Sequence, residues 1–168
     1  MNNLIYTTDD LNNENLSNFK FFDLIKSAKP EFKVIAFTIA KDLDLKLFEE
    51  WWEPRKGWVE IGVHCFSHNY EGIRQECWRD DQAENIEKAR NILKPFLLER
   101  PLYRPPGFRF LPATEKILKD LGFAGIAHEQ FIKYFDTGEF YPVFNTHLTL
   151  TEFYNPIGQI WKNLIEKI

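Results

Sequence analysis

Two short segments hold most of the side chains able to do chemistry. Ile5-Tyr6-Thr7-Thr8-Asp9-Asp10 ends an apolar run in adjacent carboxylates, and His64-Cys65-Phe66-Ser67-His68 sets two imidazoles four residues apart. Neighbouring carboxylates repel unless a cation or a proton lies between them. Two histidines at this spacing, on a turn leaving a strand, can reach one ion. Each segment alone also has a plain reading, a solvated acidic turn or a pair of exposed histidines. Together they make a set of one Asp and two His: the chain has only 4 histidines, and three of them, His64, His68 and His147, fall at or just beyond strand ends. Such a set leaves coordination positions open for water and substrate, as catalytic sites do and closed structural zinc sites do not. A divalent cation is therefore the expected cofactor. Zinc comes first, with cobalt, nickel, manganese or ferrous iron left open by the donor set.

The elements that must position these groups read as an α/β series. Short β-branched and aromatic runs predict strands over 4–8, 33–39, 58–63, 102–104, 122–127 and 140–145. A helix is predicted over 81–98, with Ala83, Ile86, Ala89, Leu93 and Leu97 on its buried face. Pro112 at the start and Gly122 past the end bracket a shorter one. Asn155-Pro156 opens a terminal helix striped by Ile157, Ile160, Trp161, Leu164 and Ile168. Six strands alternating with helices predict a mostly parallel sheet, open or curled into an incomplete barrel. Asp9 and Asp10 then follow the first strand, His64 the third, Arg104 the fourth and His147 the last. In parallel α/β folds the carboxyl ends of the strands share one face, which carries the site.

The 168 residues suit one domain spanning 1–168, and 44% apolar with 27% charged residues is ordinary for a folded chain. A net charge of −4 without Lys/Arg clusters argues against nucleic acid as a partner. The first residues lack a basic and then apolar leader, and no run approaches a membrane span, so the expectation for the chain as written is cytoplasmic, with Cys65 and Cys77 reduced.

Thr8-Asp9-Asp10, Glu60-Ile61-Gly62-Val63-His64-Cys65-Phe66-Ser67-His68 and Tyr103-Arg104-Pro105-Pro106-Gly107-Phe108 match, in order and rough spacing, three motifs. They resemble the first three motifs of the polysaccharide deacetylase family, also called NodB-like or carbohydrate esterase family 4. The resemblance covers Thr8 to His147. It implies a distorted, incomplete (β/α) barrel that removes acetyl groups from N- or O-acetylated sugars, with an acetylated sugar or glycan as partner. It further implies that Asp9 is the catalytic base, and that Asp10, His64 and His68 are the metal ligands. By the same likeness Arg104 orients Asp9 through a charge-assisted hydrogen bond. The Gly107 N–H, following two prolines that have none, is a candidate oxyanion donor. His147 is similar in position to the family's general acid, a task suited to an imidazole with its ordinary pKa of about 6.5. Phe66, Tyr70 and Phe108, beside these groups, are expected to wall the substrate cleft.

The chain departs from the pattern in places. Thr8 and Leu11 flank the two aspartates, and Cys65 stands where Ser or Thr is common. The fourth motif, which in the family contributes an Asp and a Trp, is missing: after Gly125 come only His128, Glu129 and later Asp136. A tether for Arg104 is therefore unassigned. Trp51 and Trp52 are expected to pack on the sheet, and His128 to cap or line a loop.

Overall fold

In a computed structural model that describes residues 5–68 and 81–147, strands and helices alternate as expected. They run β1 (Ile5–Leu11), α1 (Lys20–Ala28), β2 (Val34–Ile39), α2 (Leu45–Trp52), β3 (Val59–Cys65) and α3 (Gln82–Leu93). Then come β4 (Leu102–Tyr103), α4 (Pro112–Asp120), β5 (Gly125–Ala127), β6 (Phe131–Tyr134) and β7 (Phe140–His147). Each strand pairs with the next, and β7 closes the ring by pairing with β1. Pairing is parallel except on the two sides of β6, which runs against β5 and β7. The α/β barrel of mostly parallel strands is thus present, one strand short of a complete eight-stranded (β/α) barrel.

Strand alternation divides the apolar residues into an inside and an outside. Val34, Ala36, Val59 and Ile61 face outward onto Phe19, Phe22, Phe48 and Trp51. Val63, Tyr103 and Ile126 face outward onto Ile86, Ala89, Leu93 and Leu118 of α3 and α4. Between them, Ile35, Phe37, Leu102, Ala127 and Ile132 fill the barrel with Ile5 and Val143. Thr7 and Asp9 of β1, Gly62 and His64 of β3 and Asn145 of β7 share that inward register. Gly62 is there because Phe37 takes its space: a Cβ at Gly62 would lie 2.6 Å from that ring.

Local signals set the helix ends. The Asp44 carboxylate accepts from the N–H groups of Lys46 and Leu47, both at 3.1 Å, and so caps α2. Pro112 opens α4, and Gly122 ends it at φ 77° with its N–H on the Lys119 carbonyl. Gly122 therefore closes a helix, and β5 begins only at Gly125. Helix α3 stops at Leu93, short of the predicted 98, because Pro95 lacks an N–H and the chain tightens into a 3-10 turn at Lys94–Phe96. Ala83 is exposed, and Gln82 takes the buried position, accepting a 2.8 Å bond from Thr114 of α4. Strand β6 was not anticipated, being four residues long; Gly138, at φ 69°, turns it into β7. Trp51 is buried and Trp52 packs beside it, as expected. The predicted terminal helix, Cys77 and Tyr70 lie outside the described residues.

Candidate metal centre

Asp9 and Asp10 lie within β1, which runs on to Leu11, and are not in a turn after it. Adjacent strand residues point to opposite faces, so a regular strand would send one carboxylate out of the barrel. Here the pairing of β1 with β2 shifts register between Thr8 and Leu11, and Asp10 adopts φ 61°. Aspartate tolerates that left-handed region better than most residues, and a bulge re-aims side chains at a strand end. The buried Asn15 side chain holds the turn, its Nδ2 donating to the Asp10 carbonyl at 2.5 Å.

The Asp10 Oδ1 then sits 3.1 Å from His64 Nε2 and 3.6 Å from His68 Nε2. The His64 Nδ1 is 2.8 Å from the carbonyl oxygen of Arg104. That oxygen can only accept, so Nδ1 carries the hydrogen, and in neutral His64 the Nε2 lone pair faces Asp10. A lone pair and a carboxylate this close need a cation or a proton between them. Metal bonds of about 2.0–2.2 Å place neighbouring donor atoms about 3.0–3.6 Å apart, which matches the observed spacing. The set Asp10, His64 and His68, with donor atoms within 4.8 Å of one another, fits a divalent ion. Cys65, between the two histidines in sequence, falls on the outward register of β3 and is not among the clustered donors.

Beside this cluster is a buried ion pair. Arg104 is 0% and Asp9 1% exposed, so each charge must find its partners inside the protein. Arg104 Nη1 donates to Asp9 Oδ1 at 2.5 Å and to Asn145 Oδ1 at 2.7 Å. Its Nη2 donates to Thr7 Oγ1 at 3.0 Å and to the His128 carbonyl at 3.2 Å. The guanidinium also lies 4.1 Å from the Phe37 ring centre. Burial pushes the Arg104 pKa down, and the charge and hydrogen bond of Asp9 push it back up; an arginine keeps its proton under such conditions. The Asn145 Nδ2 donates to Asp9 Oδ2 at 2.9 Å. Asn145 and Thr7 are not among the residues that the sequence singles out, and strand register is what brings them to the pair. Thr7 stands two residues before Asp9, Asn145 two before His147, and β1 pairs with β7 as Thr7↔Asn145 and Asp9↔His147.

The other expected residues are scattered more widely. His147 is the last residue of β7, its Cα opposite that of Asp9. Gly107 is exposed at φ 60°, and Phe108 follows at φ 57° with its ring centre 5.7 Å from the Arg104 guanidinium. Phe66 packs against the outer cluster under α3 and α4 with Lys88 over its ring. His128 lines the loop after β5, where its ring stacks on Phe131 at 4.9 Å.

No protein-family model matches the sequence, and no curated protein does. Solved structures do. A CE4 family pseudoenzyme from Bacillus anthracis superposes with a TM-score of 0.55 at 11% identity, over 99% of this chain and 62% of its own. A mutant of that pseudoenzyme with restored enzymatic activity also gives 0.55, at 14% identity over 99% and 63%. The protein has the CE4 fold. A 4-alpha-glucanotransferase from Thermococcus litoralis matches at a TM-score of 0.53 and 19% identity, over 96% of this chain and 30% of the enzyme. The chain spans under two thirds of the length of these CE4 structures. On this barrel, the Asp10, His64 and His68 donors and the Asp9–Arg104 pair both sit at the carboxyl ends of the parallel strands, the face on which barrel sites are built. Among the described residues, no helix is long and apolar enough to cross a membrane.

Proposed function

We propose that the protein is a metal-dependent deacetylase that removes acetyl groups from N- or O-acetylated sugars. The observation that carries the reading is the juxtaposition of an open-sided donor set, Asp10, His64 and His68, with a separate buried carboxylate, Asp9, held by Arg104. A divalent ion held by those three side chains would supply Lewis-acid polarisation of the acetyl carbonyl and lower the pKa of a bound water towards neutrality. Zinc is the ion first expected there.

The chain's own residues do the rest. Asp9, which is not among the clustered metal donors, takes the proton of the attacking water. Its two oxygens are aimed by Arg104 and Asn145, each keeping a lone pair for that proton. The Gly107 N–H donates to the oxyanion that forms as the carbonyl carbon becomes tetrahedral. His147 hands a proton to the departing nitrogen or oxygen of the sugar. Phe108 and Tyr70 are the aromatic candidates for contact with the sugar rings. A glycan is the partner of the reading, which involves neither nucleic acid nor membrane.

The test is acetate release from acetylated chitooligosaccharides by metal-loaded protein, before and after chelation, and by Asp9→Asn. The reading expects release that stops with chelator, returns with metal and falls to a low residual rate in Asp9→Asn with the ion still bound. Release indifferent to chelator overturns it. Oligosaccharide binding without acetate release would leave a carbohydrate-binding protein on this fold.

A further inference from the structure

We infer that Asn145 is the positioning residue that fixes the Asp9 carboxylate against Arg104; the inference rests on the reading of Asp9 as proton acceptor. The amide uses both of its ends. Its Oδ1 meets two donors, Arg104 Nη1 at 2.7 Å and Thr7 Oγ1 at 2.9 Å, while its Nδ2 faces Asp9 Oδ2 at 2.9 Å. Only one orientation of the amide serves all three neighbours, because the reverse would set NH2 against the arginine and oxygen against the carboxylate.

The fold delivers Asn145 to this point by strand register. Asn145 pairs with Thr7, two residues before Asp9 on the neighbouring strand, so its side chain emerges on the same inward face. With Asn145 present, the Asp9–Arg104 pair becomes a closed ring: Arg104 Nη1 binds Asp9 Oδ1, Asp9 Oδ2 binds the amide NH2, and the amide oxygen returns to the same Nη1. Such a ring fixes the rotation of the carboxylate as well as its distance, which one salt bridge does not. A neutral side chain is also required. A carboxylate at this position would have no donor for Asp9, would add a second negative charge beside it, and would compete for the one guanidinium.

The experiment uses the full chain loaded with zinc. Asn145→Ala and the near-isosteric Asn145→Asp should each lower kcat about 10–100-fold, the scale of a lost outer hydrogen-bond partner, with KM and bound zinc unchanged. In an Asp9→Asn background, adding Asn145→Ala should change kcat by less than about twofold, because residues acting through one group are not additive. Independently of activity, nitrogen NMR should show separate, slowly exchanging Nη signals for Arg104 in the parent and their coalescence in Asn145→Ala. Resolved Arg104 signals in Asn145→Ala, or effects of Asn145 and Asp9 that add, overturn the inference. If the parent releases no acetate while the Arg104 signals still coalesce, the positioning stands and the deacetylase reading falls.

Discussion

Asp9 and Asp10, joined by one peptide bond, serve different partners: Asp9 Oδ1 accepts from Arg104 at 2.5 Å, and Asp10 Oδ1 lies 3.1 Å from His64 Nε2. The left-handed backbone at Asp10 separates them. Their substitutions should therefore separate too. Asp10→Ala removes an ion ligand and should weaken zinc binding by more than the about 10–100-fold typical of an outer-shell change. Asp9→Asn should leave zinc affinity within a few fold. Zinc titration calorimetry on both variants checks this, and equal losses would contradict the division.

Ion binding should also stabilise the fold, because the ligands come from β1, β3 and the residues just after β3 and converge only in the folded chain. At an ion concentration about 100 times Kd the gain is about 2.7 kcal/mol. For a domain of roughly this size that raises Tm by about 5–10 °C. Scanning calorimetry with zinc and then with chelator reads it. Asp10→Ala should show no such shift.

A third prediction concerns Gly62. A methyl there would meet the Phe37 ring at 2.6 Å, and the Leu102 carbonyl at 3.4 Å limits escape on the other side. Phe37 is fully buried and carries the Arg104 guanidinium on its face. Gly62→Ala should cost about 1–3 kcal/mol, as overpacking does. Because the displaced ring supports Arg104, turnover should fall as well while zinc binding persists. Urea unfolding and acetate release on one preparation measure both.

Much of this site was legible in the sequence because its residues obey strand alternation: β-rich runs ending in Asp, His and Arg put those groups on one rim. The bulge was not legible, since nothing in Thr8-Asp9-Asp10-Leu11 announces a left-handed aspartate, and the apolar run alone puts both carboxylates just past the end of the first strand. The partners of Arg104 were missed for a different reason. Thr7 and Asn145 are 138 positions apart and become neighbours only through closure of the ring, which local pattern does not reveal. Strand β6 is too short to carry a clear alternation, and the apolar spacing of α3 continues past Pro95, beyond the point where the helix stops. The Phe66 ring, grouped with the cleft by its closeness to the ligands, belongs by packing to the outer layer.

The last prediction comes from Glu60, which precedes Gly62 and His64 on the inward register of β3. Burial raises its pKa above the ordinary 4.5, with Lys33 pulling weakly the other way. The sign follows from linkage. An acid whose folded pKa is raised favours the folded state while it is neutral, and that contribution is fully present below about pH 4.5. It is lost as pH climbs through the folded pKa, because the unfolded chain ionises the group more readily. Glu60→Gln stays neutral throughout, so its Tm should match the parent at pH 4.5 and exceed it at pH 8 by a few degrees, about 2–4 °C for each kcal/mol recovered. Tyr134 provides a second reading. Its pKa is raised chiefly by burial and further by the charge of Glu60, so in Glu60→Gln its phenol should ionise at lower pH, followed by absorbance near 295 nm. A variant with an unchanged difference in Tm across pH, and an unchanged tyrosine titration, would show that Glu60 is solvated at the mouth of the barrel and not held within it.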